Sequence, residues 1–295
     1  MLNSIDDYIN YLVYERRMSK NTCSSYKNDL IKYNEFLKSK NIDNVRDIDR
    51  SNITDYIKAL SNDNITETSI ARKLTAIKNF HKYMVQFGSI SPDVAETIER
   101  PKLRKTLPNV LSVAEVDSLL ELDTNTPFDY RNKAMLELLY GTGLRITEML
   151  DLTMQDIDFE NCVIRCFGKG AKERIVPIGE YIIESLKNYL EVRPLLSKNK
   201  RSDILFLNNF GGRLSRFSFF KILKKMLVVK GIKKNVSPHT LRHSFATHML
   251  EYGADLKSIQ ELLGHVDINT TRLYTHITNK QIENDYEEFH LRSGE

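Results

Sequence analysis

Apolar positions in the first third of the chain recur at helical spacing: Ile5, Tyr8, Ile9, Leu12 and Val13, then Tyr26, Leu30, Tyr33, Phe36 and Leu37. Residues three and four apart share one face of a helix, so each set predicts a helix with a single apolar stripe. The pattern continues over 53–60 and over 70–87, the latter closed by Gly88. Stripes of this width bury themselves only against one another, which predicts a bundle of four or five helices ending near residue 94. Tyr26, Tyr33, Phe80 and Tyr83 keep the helical interval and not the alternation of a strand, so they are expected in that bundle's core.

The rhythm then breaks. Pro101 and Pro108 bracket Lys102, Arg104 and Lys105 with no periodicity, which marks residues 101–110 as a basic linker. Beyond it, Ser112 is placed to cap a helix over 116–122, and a helix over 129–140 stops at Gly141-Thr142-Gly143. β-Branched and aromatic residues over 158–167 and 173–178 flank Gly168-Lys169-Gly170-Ala171-Lys172, the plan of an antiparallel hairpin. A third short strand is expected over 204–207. Further helices are expected over 182–189, 216–229, 238–251 and 255–263, the last ended by Gly264, followed by a segment through Tyr274. The chain thus reads as mainly α with two domains, 1–100 and 111–295, the second carrying a small antiparallel sheet.

A length of 295 residues suits two separate cores. Hydrophobic residues are 41% and charged residues 28% of the chain, and no apolar run approaches the roughly 20 residues of a membrane span. The start lacks the basic-then-apolar plan of a signal peptide, so a cytoplasmic location is expected. Cys23, Cys162 and Cys166 lack paired metal-type spacing and are expected to be reduced and buried. Forty-three Lys and Arg against thirty-nine Asp and Glu leave a net charge of only +4, which does not by itself indicate a nucleic-acid partner. The distribution says more: Lys102, Arg104 and Lys105, then Lys169, Lys172 and Arg174, then Lys221, Lys224, Lys225, Lys230, Lys233 and Lys234. One such cluster is ordinarily a solvated face. Three around one candidate site favour a polyanion.

That site is read from the helix opening at Ser237-Pro238, a good cap followed by a residue suited to the first helical position. His239 and Arg242 then fall in its first turn and reach one anion, which the unpaired amides of the turn already favour. Arg145 follows Gly141-Thr142-Gly143-Leu144; alone it reads as the partner of Glu148, and together with Arg242 as a second phosphate-binding cation. Lys169 at the hairpin tip is either a turn residue chosen for solubility or a general acid. No Walker loop surrounds it. His239 and His243 have the spacing of a helical zinc pair but lack the Glu of the zinc-protease motif, so no metal is expected. His243 and His248 are expected to pack or cap. His265, after the Gly264 stop, is placed to donate a hydrogen bond to a phosphate oxygen. Tyr274 is the candidate nucleophile, since a phenol with a pKa of about 10 ionises only beside a base and positive charge.

The ordered set Arg145, Lys169, His239, Arg242, His265, Tyr274 resembles the signature of the tyrosine recombinases: Arg, Lys, His-x-x-Arg, His or Trp, Tyr. Every position matches. Leu-Leu-Tyr-Gly-Thr-Gly-Leu-Arg, Phe-Gly-Lys-Gly-Ala-Lys-Glu-Arg, Pro-His-Thr-Leu-Arg-His-Ser-Phe-Ala-Thr-His and Gln-Glu-Leu-Leu-Gly-His are similar to the XerC/XerD subgroup. The likeness reaches the N-terminus through Ser19-Lys20-Asn21-Thr22 and the segment from Ser69 to Ile77. It implies a C-shaped clamp, with a SAM-like core-binding domain and a mostly helical catalytic domain that cuts and rejoins double-stranded DNA. No metal, ATP or other cofactor is implied. By that resemblance Tyr274 is expected to attack the phosphate, His239 to act as base, Arg145 and Arg242 to stabilise charge, His265 to orient the phosphate and Lys169 to protonate the leaving oxygen. The resemblance further implies a tetramer on two duplexes, a second Xer recombinase as partner, a DNA translocase, and resolution of chromosome dimers. Residues 281–290, with Ile282, Tyr286 and Phe289 on one face, are expected to be a helix exchanged between subunits; the plainer alternative is docking on their own domain. Two other functions share these features: an integrase of a mobile element, against which the lack of an arm-binding domain ahead of the bundle is counted, and a DNA-binding protein without cleavage.

Overall fold

Side-chain caps open three of the four α-helices among the described residues of the N-terminal unit. Ser19 Oγ accepts from the Thr22 amide, Asp49 and Asn52 form a reciprocal capping box, and Thr66 Oγ1 accepts from the Ser69 amide. Each satisfies amide groups that the first helical turn leaves without partners. The computed structural model describes residues 1–99, 101, 109–168, 173–198, 201–264, 286, 289 and 290. The chain divides into the units Met1–Thr106 and Leu107–Glu295. Helices α1 (Leu2–Tyr14), α2 (Lys20–Ser39), α3 (Arg50–Asn62) and α4 (Glu67–Gln86) make the first. Its core holds Ile5, Tyr8, Leu30, Tyr33, Ile53, Leu74 and Phe80, with Tyr26 and Tyr83 half-buried at its margin. The periodicity predicts this core because each stripe faces the same centre. Across it, buried Asp29 on α2 holds Lys73 Nζ at 2.8 Å and pairs with both terminal nitrogens of Arg72 on α4.

The second unit runs α5 (Val113–Leu120), α6 (Pro127–Thr142), α7 (Ile146–Asp151), three short strands, α8 (Glu180–Ser197), α9 (Arg216–Val229), α10 (Pro238–Glu251) and α11 (Leu256–Leu263). The sheet has the order β1 (Ile157–Asp158), β2 (Val163–Phe167), β3 (Glu173–Pro177), antiparallel throughout. The strand expected over 158–167 is therefore two. Asp158 accepts from the Glu160 and Asn161 amides and turns the chain back, with Cys162 at φ 53° completing the turn. The strand expected over 204–207 is not a sheet member; Ile204 and Leu207 make single bridges, to Thr153 and Arg213. Cys162 is exposed, against expectation, while Cys23 and Cys166 are buried. α8 extends well past Tyr189 and carries Pro194 within it. α6 continues through Gly141 and Thr142 and ends at Gly143, whose φ of 59° is left-handed. A Cβ there would lie 2.6 Å from Phe245 and 2.8 Å from Leu263, so α10 and α11 both close on the elbow that leads to Arg145.

Candidate active site

Arg145 is the N-cap residue of α7, directly after the elbow. Its amide donates to Glu148 Oε2 at 2.8 Å, and its Nη1 donates to Oε1 at 2.8 Å. The pairing with Glu148 three residues on is thus real, and it leaves the Arg145 side chain 33% exposed. Glu148 itself is buried, and its second cation is Arg174 on β3: Nη1 to Oε1 at 3.1 Å, Nη2 to Oε2 at 2.8 Å. Burial pushes the Glu148 carboxyl up, but hydrogen bonds from the Arg174 side chain and the Arg145 amide, the Arg174 charge and the Arg145 side-chain hydrogen bond outweigh it and hold the group at about 2. It is a carboxylate at any working pH.

Arg242 sits one helical turn inside α10, in the position predicted from the Ser237 cap, and is buried. Its Nη1 donates to the Gly143 carbonyl and its Nη2 to the Leu263 carbonyl, both at 2.6 Å. Those bonds fix the plane of the guanidinium against the elbow and the end of α11. Burial, and then repulsion from Arg145, lower its pKa to about 10, with Arg174 adding to the repulsion and Glu148 opposing it. A place where cations already repel one another gains by receiving an anion. His239, in the first turn of the same helix, is exposed to solvent.

Among the described residues, then, the fold gathers Arg145 and Arg242 around Glu148 and sets His239 on the solvent side of α10. Lys169, His265 and Tyr274 lie outside the described residues. His248 packs as expected: Nε2 donates to the Leu111 carbonyl at 2.9 Å and Nδ1 pairs with the Tyr140 hydroxyl at 2.9 Å. His243 does not; it is exposed. Of the expected helix 281–290, only Tyr286, Phe289 and His290 are described. Tyr286 is buried in its own unit, stacked on His290, with its hydroxyl accepting from the Gly179 amide at 3.3 Å. In the single chain this is the docked arrangement, not the exchanged one.

Sequence reading finds Glu148 only as the ion-pair partner of Arg145 and misses its capping role, although an acid three residues past an N-cap is itself a capping signal; it misses the role of a second charge outright. Arg174 was counted in a basic cluster flanking the site, yet its side chain is only 14% exposed. Strand parity carried the signal. Arg174 opposes Cys166, and Val176 opposes Ile164, so Arg174 belongs to the inward row.

The sequence matches the Phage integrase family over residues 109–281 and the N-terminal SAM-like domain of phage integrases over residues 5–88. The chain belongs to the phage integrase family. It is 44% identical over 293 residues to the tyrosine recombinase XerD of Oceanobacillus iheyensis, covering 98% of this chain and 99% of that protein. Its fold is like that of the XerH site-specific recombinase in a post-cleavage complex with the palindromic difH substrate, with TM-score 0.70, 24% identity, and 92% and 81% of the two chains covered. It is also like a lambda integrase in a tetramer bound to a Holliday junction, with TM-score 0.70, 15% identity, and 91% and 78% covered. At such identities the likeness establishes the fold. The SAM-like N-terminal unit and the mostly helical second unit with its small sheet are those of a tyrosine recombinase.

Proposed function

We propose that this protein is a site-specific DNA recombinase whose strand exchange runs through a covalent phosphotyrosyl intermediate. The observation that carries the chemistry is the buried Glu148 carboxylate shared by Arg145 and Arg174, with Arg242 fixed beside them by the Gly143 and Leu263 carbonyls. Guanidinium groups locked before substrate arrives need no reorganisation as charge develops on the non-bridging oxygens. In the reaction, the Tyr274 oxygen attacks phosphorus and passes its proton to His239. As the new bond forms, the bond to the 5′-oxygen breaks, and Lys169 delivers a proton to that oxygen. His265 donates to a non-bridging oxygen. The product is a 3′-phosphotyrosyl bond and a free 5′-hydroxyl, so the phosphodiester energy is kept for rejoining and no cofactor is consumed.

The working assembly is a tetramer on two duplexes, with a second Xer-type recombinase and a DNA translocase as partners, and its duty is resolving chromosome dimers in the cytoplasm. The cavity that Tyr286 fills in its own unit is then the acceptor for a neighbour's Tyr286 on assembly. No helix of the described residues is long and apolar enough to cross a membrane. The decisive test is a denaturing gel. The wild-type chain leaves a covalent adduct on DNA, and Tyr274→Phe binds the same DNA but leaves none. An adduct in that variant moves the nucleophile elsewhere; none from the wild type means a DNA-binding protein without cleavage.

A further inference from the structure

Arg174 makes three connections with one guanidinium. Its two Nη atoms hold Glu148 on α7, and its Nε donates to the Leu262 carbonyl at 3.1 Å, at the end of α11. The next carbonyl, that of Leu263, is held by Arg242. Two arginines from different elements thus cap consecutive carbonyls of one helix terminus, where orphan acceptors and the negative dipole end favour cations. Gly264 permits the approach: a Cβ there would meet the Arg174 guanidinium at 3.1–3.4 Å, and its φ of 65° is left-handed.

The segments tied together are those that carry the reacting groups. β3 begins at Glu173, four residues after Lys169 in the sequence; Arg145 is the N-cap of α7; and Gly264, at the end of α11, immediately precedes His265 in the sequence. An inward strand position flanked by Cys166 and Val176 suits an apolar side chain, and replacing a buried ion pair with apolar packing is commonly no less stable. An apolar residue would bury the hairpin equally well. It would not fix its register against α7 and α11 by directed bonds.

We propose that Arg174 is a positioning residue for DNA cleavage, setting β3, the start of α7 at Arg145 and the end of α11 in one mutual register; along the sequence Lys169 precedes the first and His265 follows the last. This rests on the recombinase reading above. Arg174 touches neither the reacting phosphate nor the nucleophile in this scheme and acts through Glu148 and Leu262. Four groups on different elements act on Glu148: Arg145 on α7, Arg174 on β3, Arg242 on α10 and the Cys166 thiol on β2.

The test compares the full-length wild type with Arg174→Met and Arg174→Lys on a nicked duplex selected from genomic fragments by covalent capture on the wild-type chain. DNA affinity, melting, single-turnover adduct formation and its pH profile are measured, with the bridging 5′-oxygen present or replaced by sulfur. Arg174→Met should bind DNA within about twofold of wild type and cleave on the order of 10²-fold more slowly, the usual cost of misplacing reacting groups by about 1 Å. Sulfur should restore only part of that loss, because Arg145 and His265 are displaced as well as Lys169. Cleavage by Arg174→Met should also gain an acid limb, as Glu148 loses its largest stabilising contact. Arg174→Lys, which keeps a charge beside Glu148 but not the bond to Leu262, should lack the limb and recover part of the rate; it carries the test if the Met variant does not fold. With an active wild type, either of two results overturns the proposal: cleavage lost only in proportion to binding or folding, or complete rescue by sulfur. Absence of any wild-type adduct overturns the recombinase reading, and the proposal with it.

Discussion

Glu148 grips Arg145 twice, accepting from its amide with one oxygen and from its guanidinium with the other, each at 2.8 Å. The helix start and the side-chain direction are therefore set by the same carboxylate. Glu148→Gln keeps the shape but removes the charge and turns an amide donor toward one of the guanidinium groups. Stability should fall by about 2–4 kcal/mol, the usual cost of breaking a buried, hydrogen-bonded ion pair from one side. Cleavage should fall by about 10²-fold with DNA affinity nearly unchanged. Denaturant unfolding and single-turnover cleavage measure the two. A variant cleaving as fast as wild type would show that Arg145 needs no such anchor.

Lys169→Ala separates a leaving-group acid from a phosphate anchor. If Lys169 protonates the departing 5′-oxygen, the variant is crippled on normal DNA and recovers most of its rate when that oxygen is sulfur, since a thiolate with a pKa of about 8.5 leaves unprotonated. Arg145→Ala should gain much less from the same sulfur. Equal rescue of both variants would remove Lys169 from the acid's role.

Gly143→Ala attacks the elbow. A Cβ at φ 59° is strained, and it would stand 2.6 Å from the Phe245 ring. Left-handed strain and overpacking together should cost about 2–4 kcal/mol. Because the Gly143 carbonyl also holds Arg242, cleavage should fall further than the lost stability explains. Urea unfolding and adduct formation, measured on the same preparation, check both, and a variant with wild-type stability would contradict the close approach.

Acid should weaken the N-terminal unit first. His81 is fully buried on α4, its Nε2 3.5 Å from the Tyr33 hydroxyl, and burial lowers its pKa from 6.5 to about 4 against a weaker opposing pull from Asp93. The folded state thus favours the neutral ring. Its contribution to stability is complete above pH 6.5 and is lost as pH falls from there through about 4, by up to roughly 3 kcal/mol. Glu148, in the other unit, loses its own contribution only between 4.5 and about 2. His81→Leu should flatten the melting temperature between pH 7 and 5, and an unchanged slope would assign the transition to another group.

Local pattern alone determined the helices of the first unit, the cap at Ser237 and the turn placing Arg242 beside His239, because these depend on contacts within about four residues. It also determined the family, through the order of Arg145, Lys169, His239, Arg242, His265 and Tyr274. Only the tertiary structure decided what faces inward on the hairpin. Hydrophobicity points Phe167 and Ile175 toward the core, yet they are 52% and 51% exposed, and Arg174 lies inside between Cys166 and Val176. A buried guanidinium is tolerable only where a buried carboxylate and a helix-end carbonyl meet it. Glu148 and Leu262, 26 and 88 residues away along the chain, supply both, and no local pattern reports a partner at that distance.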